Sequence, residues 1–128
     1  MPYLLAAVGG VLGALARWGV GTALPVSPGS WPWATLLVNL TGCLLLGVLI
    51  AVVAERLPGA TWPRPLLAVG VLGGYTTFSA FAVEVVRLVE DGAVLTAVGY
   101  ALVSVLGGVL AVAAGALIGR SVAGGSAR

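Results

Sequence analysis

Four membrane-spanning α-helices joined by short loops are the fold this chain predicts, on three observations. Its 128 residues are 60% hydrophobic and 8% charged, a balance unsuited to a water-soluble domain of this length. The apolar residues fall into four runs, each long enough for the roughly 20 residues that a bilayer span requires. Between those runs stand the prolines, acidic residues and glycines that punctuate turns. The chain is one all-α membrane domain, with no room left for a soluble one.

The first span is read over residues 3–24. It has no basic leader, exceeds the apolar core of a secretory signal and contains Arg17, so it is expected to stay in the mature protein. A Pro25-Val26-Ser27-Pro28-Gly29-Ser30 loop leads to the second span, residues 32–54. Glu55-Arg56-Leu57-Pro58-Gly59 leads to the third, 65–89, and Glu90-Asp91-Gly92 to the fourth, 93–119. Trp31, Trp33 and Trp62 fall at span ends, where indole rings anchor at the headgroup level. Gly9 with Gly13, and Gly115 with Gly119, form small-xxx-small pairs that let helix backbones approach closely. Cys43 is the one cysteine, so no intrachain disulfide can form, and it reads as a small packing residue.

Several function classes lose their usual parts. There is no histidine, no Cys/His cluster, no nucleotide-binding glycine pattern and no carboxylate pair within one span, so an enzyme is not expected. The net charge of +2 contains no basic run, which gives no case for nucleic acid. Transport, conduction or membrane scaffolding remains. Many transporters build a midplane site from two inverted halves. This chain shows no internal repeat, so a second subunit must bring the other half.

Polar residues inside the spans carry the rest, because an unpaired polar group in hydrocarbon is costly. The third span holds Gly73-Gly74-Tyr75-Thr76-Thr77-Phe78-Ser79-Ala80-Phe81, paired glycines followed by hydroxyls at membrane depth. Such a run fits either a bend in a packed helix or backbone that lines a cavity. Asn39 sits in the second span with Gly42 on the same helical face; a solitary asparagine there is either interhelical glue or a ligand-facing donor. Tyr100, Ser104 and Gly108 mark a stripe on the fourth span, although serine can satisfy itself on the carbonyl one turn back. Phe78 and Phe81 share a face. Aromatic rings have positive edges, so two rings beside the hydroxyls of Thr77 and Ser79 could line an anion path free of full charge, where an ion enters yet is not trapped. Glu84 either shapes ion entry or pairs with Arg87, and the pairing is preferred.

These residues resemble the small fluoride channels called Fluc or CrcB. Gly9-Gly10-Val11-Leu12-Gly13-Ala14-Leu15-Ala16-Arg17-Trp18 is similar to that family's opening motif. Asn39-Leu40-Thr41-Gly42 is similar to its second-span motif, and Gly70-Val71-Leu72 followed by Gly73 to Phe81 to its third-span signature. The resemblance implies an antiparallel dimer with two fluoride paths, a third helix broken near its middle, and a structural sodium ion (Na+) at the dimer interface. It implies that the backbone carbonyls of Gly73 and Thr76 hold the sodium. It further implies that Phe78 and Phe81 are pore phenylalanines, that Asn39 donates to the ion, and that Thr77, Ser79, Tyr100 and Ser104 belong to the fluoride path. Arg17 becomes a vestibule residue. Two positions depart from the pattern: Ala80 where a threonine is common, and Gly108 where a second hydroxyl is common.

The function implied is a passive, fluoride-selective channel of the plasma membrane that lowers cytoplasmic fluoride. The alternatives are a proton-coupled small-cation exporter of the four-span multidrug type and a non-conducting scaffold subunit. The exporter relies on an acidic residue in its first span, and this first span has only Arg17. The partner is a homodimeric copy or an oppositely oriented paralogue. Arg56, Arg64, Arg120 and Arg128 lie on the face of the termini, against Arg87 on the other. Basic residues favour the cytoplasm, so one orientation is expected to dominate, and an inverted paralogue is then the complement.

Overall fold

The structure, a computed structural model, describes residues 1–125. Among them there is no strand, and four helical segments are long and apolar enough to cross a membrane. We label them α1 (Pro2–Ala23), α2 (Trp33–Arg56), α3 (the π-helical Arg64–Leu72 with the α-helical turn Gly73–Tyr75), α4 (Phe78–Glu90) and α5 (Val94–Gly124). α3 and α4 together make the third span. The turns before α3 and α5 use Gly59 at φ +89° and Gly92 at φ +76°, a region closed to most side chains.

α5 runs on to Gly124 instead of ending at Gly119. Arg56 explains the extension. Its Nε donates to the Ala123 carbonyl at 2.9 Å and its guanidinium Nη2 to that of Val122 at 2.8 Å, satisfying acceptors that a helix end leaves bare. The same contact joins the C-terminal ends of α2 and α5, so these two helices run parallel.

Packing falls into two pairs, α1 on α3 and α2 on α5, with α4 leaning on α5. Glycine makes both pairs close. A Cβ at Gly9 or Gly13 would enter the backbone of α3, and one at Gly47, Gly115 or Gly119 would enter the backbone across the α2–α5 seam. Lipid gives helices no hydrophobic reason to associate, so van der Waals contact between bare backbones takes that role.

A small core surrounds Tyr100, which is fully buried with Leu36, Leu88 and Ala97. Trp31, just before the second span, also packs inward. Its ring meets Tyr100 edge-on, with centroids 6.2 Å apart and planes at 86°, and closes this core from the α1–α2 loop. Most other large apolar side chains point outward, as expected where lipid or another subunit is the surroundings.

Gly13 and Gly19 lie on the same helix and differ in setting, which makes a controlled test. At Gly13 a Cβ would stand 2.7 Å from the Tyr75 nitrogen and closer still to the Val71 carbonyl, whereas at Gly19 it would meet nothing within 4 Å. Gly13→Ala is expected to cost about 1–3 kcal/mol through overpacking, and Gly19→Ala to be neutral or slightly stabilising. Thermal unfolding in detergent reads the difference; equal midpoints for the two variants would refute the close-contact account.

Candidate functional site

The third span leaves helical geometry at two residues. Thr76 (φ −75°, ψ 157°) and Thr77 (φ −148°, ψ 124°) are extended, and α4 starts afresh at Phe78. Local sequence favours this. Two β-branched residues in a row fit extended backbone, and Thr77 is a good N-cap, its Oγ1 accepting the Ala80 N–H at 3.2 Å. On the other side, α3 is wound as a π-helix, in which the Gly73 N–H reaches the Ala68 carbonyl five residues back. Such turns are rare and recur at functional sites.

Extended backbone at membrane depth needs partners that lipid cannot give. Asn39 supplies them from α2. Its Nδ2 donates to the Thr77 carbonyl at 2.9 Å, and the Thr77 N–H donates to its Oδ1 at 2.9 Å. A carboxamide presents a donor and an acceptor side by side, as a neighbouring strand would; a carboxylate or a hydroxyl cannot offer that pair. Gly42, on the same face of α2, leaves room for the Thr76 methyl.

Breaking the helix frees the carbonyls of four residues, Gly73, Gly74, Tyr75 and Thr76, from their helical donors. In a continuous α-helix the Thr77 N–H would serve the Gly73 carbonyl and the Ala80 N–H the Thr76 carbonyl. Here the first goes to Asn39 and the second to the Thr77 hydroxyl. Oxygen acceptors without their helical donors suit a hard cation, so the donor set at Gly73 and Thr76 fits sodium. Among the described residues, no group of three or more His, Cys, Asp or Glu side chains offers a different kind of metal site.

Both residues border a groove of about 400 Å³ between α2, the third span and α5. Asn39, Thr77, Phe78, Phe81 and Ser104 line the same groove. Asn39 retains a second Nδ2–H after serving Thr77. Ser104 does not use the carbonyl one turn back that a serine can bond; its Oγ is buried with no hydrogen-bond partner among the described residues. The helix cap serves Ala80, so the N–H groups of Phe78 and Ser79 remain as the bare donors of the α4 N-terminus, with its partial positive charge. The rings of Phe78 and Phe81 have centroids 5.9 Å apart with planes at 47°. Phe78 is 80% exposed, so one side of the groove is open in the single chain.

The other residues singled out from the sequence lie around this groove. Ser79 is exposed, with its hydroxyl 3.3 Å from that of Thr77. Tyr100 lies beneath Phe81, ring centroids 5.3 Å apart. Its hydroxyl donates to Glu84 Oε2 at 2.6 Å, while the Thr35 hydroxyl donates to Oε1 at 2.7 Å. Glu84 is therefore held by two hydroxyls and not by the Arg87 pairing preferred from the sequence. α4 turns Glu84 toward α2 and α5, where short neutral donors reach it, while Arg87 stays exposed. Arg17 is outside the groove's lining. It lies one turn beyond Gly13, which abuts Val71 and Tyr75, and so is level with the extended residues.

Two lining or supporting residues had no signal in the sequence. Thr35 reads as one more span-end residue until α4 brings Glu84 to it. Cys43 borders the groove, and a Cβ at Gly108 would stand 3.5 Å from its sulfur.

The family described as CrcB-like protein, Camphor Resistance (CrcB), matches residues 4–116. Among curated proteins, the chain is similar to a fluoride-specific ion channel FluC 2 of Nocardia farcinica, 46% identical over 124 residues, 95% of this chain and 86% of the relative. It is 48% identical over 123 residues to a fluoride-specific ion channel FluC of a Caulobacter species, covering 93% of this chain and 94% of that one. A fluoride-specific ion channel FluC of Paracoccus denitrificans is 46% identical over 121 residues, covering 94% and 95%.

The Asn39 clamp makes a definite demand on stability. Asn39→Leu keeps the volume but strands the Thr77 N–H and carbonyl, at about 1–3 kcal/mol for each group. The unfolding midpoint in detergent is expected to fall well below that of the parent chain. An unchanged midpoint would show that these backbone groups do not depend on Asn39.

Proposed function

The chain belongs to the CrcB family, and on that footing we propose that it is a passive fluoride-selective channel, a multi-pass protein of the plasma membrane that lets fluoride leave and lowers its cytoplasmic concentration. It is not an enzyme. The observation that carries the reading is a groove at membrane depth furnished with unspent hydrogen-bond donors and aromatic edges, and with no full positive charge in its lining. Fluoride is small and strongly hydrated. A narrow path that passes it must replace its water with donors, whereas chloride is larger and has less need of them. Weak, repeated contacts also suit passage better than one strong site.

The donors divide the work along the path. The free Nδ2–H of Asn39 and the Ser104 hydroxyl, buried at the groove wall, are the side-chain donors we assign to the ion. Phe78 and Phe81 present positive ring edges, and the α4 N-terminus adds its partial positive charge. Thr77, Ser79 and Tyr100 carry the polar lining onward toward Glu84. Arg17, level with the interruption on α1, raises the local concentration of anions at the vestibule. Ala80 and Gly108 bring no hydroxyl to this path, so its side-chain donors are Asn39, Ser104 and the hydroxyls of Thr77 and Ser79.

The groove needs a cover, and the exposed Phe78 supports a second subunit as that cover. We assign an antiparallel dimer, built from two copies of this chain or from this chain and an oppositely oriented paralogue. The carbonyls of Gly73 and Thr76 would hold one sodium ion at the interface, where it supplies a fixed positive charge that organises the two interrupted spans. The charge bias favours the paralogue: Arg56, Arg64 and Arg120 lie on the face of the termini, against Arg87 on the other. Arg128 lies outside the described residues. A proton-coupled exporter has less support, because α1 holds no acidic residue.

Fluoride efflux from liposomes loaded with potassium fluoride tests the reading. The purified chain, alone or co-expressed with an inverted paralogue, is expected to release fluoride and retain chloride. Phe78→Ile and Phe81→Ile keep apolar bulk but remove the ring edge, and each is expected to lose about tenfold or more of the flux, equivalent to about 1.4 kcal/mol, with assembly intact. Absence of fluoride release under both conditions would reject the channel. Normal flux in both variants would reject the aromatic lining, and flux from the chain alone would reject the need for a paralogue.

A further inference from the structure

A second cavity, of about 320 Å³, opens where the α1–α2 loop meets the C-terminal half of α4. Ser27 and Ser30 from the loop and Glu84, Arg87 and Asp91 from α4 line it. Glu84 is shared between this cavity and the interior: it accepts from Tyr100 at 2.6 Å, and the Tyr100 ring lies against Phe81, which lines the groove. Glu84, Tyr100 and Phe81 thus form a chain of contacts that leads from the cavity to the groove.

Resting on the fluoride-channel reading above, we propose that this cavity is one mouth of the ion path and that Arg87 is the residue that makes it passable to an anion. The electrostatics of this end require such a residue. α4 carries Glu84 and Glu90, Asp91 caps it, and its C-terminus adds the negative pole of the helix. The α1–α2 loop and the first turns of α2 and α5 bring no charge of either sign. Arg87, in the last turn of α4, is the one cation within a helical turn of this face. Its guanidinium is exposed and borders the cavity, while the hydroxyls of Thr35 and Tyr100, and not Arg87, hold the Glu84 carboxylate. Without Arg87, an approaching fluoride ion would meet three carboxylates and a helix C-terminus. With it, one of those negative charges is offset beside the cavity, which lessens the repulsion that an entering anion meets.

The effect is one of charge and range, so salt separates it from a structural role. Flux is measured in neutral-lipid liposomes, in whichever assembly conducts, at ~10 mM ionic strength, where charges act over ~30 Å, and at ~1 M, where they act over ~3 Å. Arg87→Gln is expected to lower fluoride flux about threefold to tenfold at the low ionic strength, within the range of electrostatic steering, and to match the parent at the high one. Arg87→Lys is expected to behave as the parent. Adding Asp91→Asn to Arg87→Gln is expected to restore most of the loss, because it removes one of the carboxylates left unbalanced. Parental flux for Arg87→Gln at low ionic strength would overturn the proposal. A loss that is equal at both ionic strengths, or that neither Lys nor Asp91→Asn repairs, would overturn it in favour of a packing role. A parent assembly that passes no fluoride at either ionic strength would instead remove the channel reading, and this inference with it.

Discussion

The paired hydrogen bonds between the Asn39 carboxamide and the Thr77 backbone are the constraint on which the rest of the structure depends. A membrane span can abandon helical geometry only if each backbone group it exposes finds a protein partner. Asn39 provides that partner for the residue at the centre of the interruption. In doing so it takes the Thr77 N–H away from the Gly73 carbonyl, and the new helix cap takes the Ala80 N–H away from the Thr76 carbonyl. The same interruption creates the N-terminus of α4. One side chain on α2 therefore sets up both electrostatic poles of the site, oxygen acceptors on one side and helix donors on the other.

The glycine seams make this arrangement possible. α3 is wound wide as a π-helix, and Gly9 and Gly13 on α1 bring backbone directly against it. Across the molecule, Gly47, Gly115 and Gly119 fix α2 on α5, which holds Asn39 and Ser104 at the two walls of one groove. Rigid seams on either side leave the groove between them, with Phe78 at its open edge. A partner subunit laid over that edge would close the path, and cover apolar surface that one chain leaves bare.

The spans were legible because hydropathy and turn residues act locally, and four runs of apolar sequence leave little freedom in a chain of 128 residues. The small-xxx-small pairs were legible for the same reason. What could not be read were partnerships between distant segments. Asn39 stood out as a lone amide, but nothing local pointed to Thr77 as its partner, 38 residues on. Glu84 looked toward Arg87 because the two are neighbours on one helix, yet Thr35 and Tyr100 claim it from α2 and α5. Trp31 carried the signature of an interfacial anchor, and nothing local pointed to its packing over Tyr100. The π-helical winding of α3 had no marker in composition.

The most direct measurement is an experimental structure of the assembled protein in which sodium is exchanged for an anomalously scattering monovalent cation. The account predicts one anomalous peak at the subunit interface, ligated by the Gly73 and Thr76 carbonyls, with the Asn39 carboxamide still bonded to Thr77. A third span that runs on as unbroken α-helix, with the Thr77 N–H on the Gly73 carbonyl and no cation beside it, would contradict it.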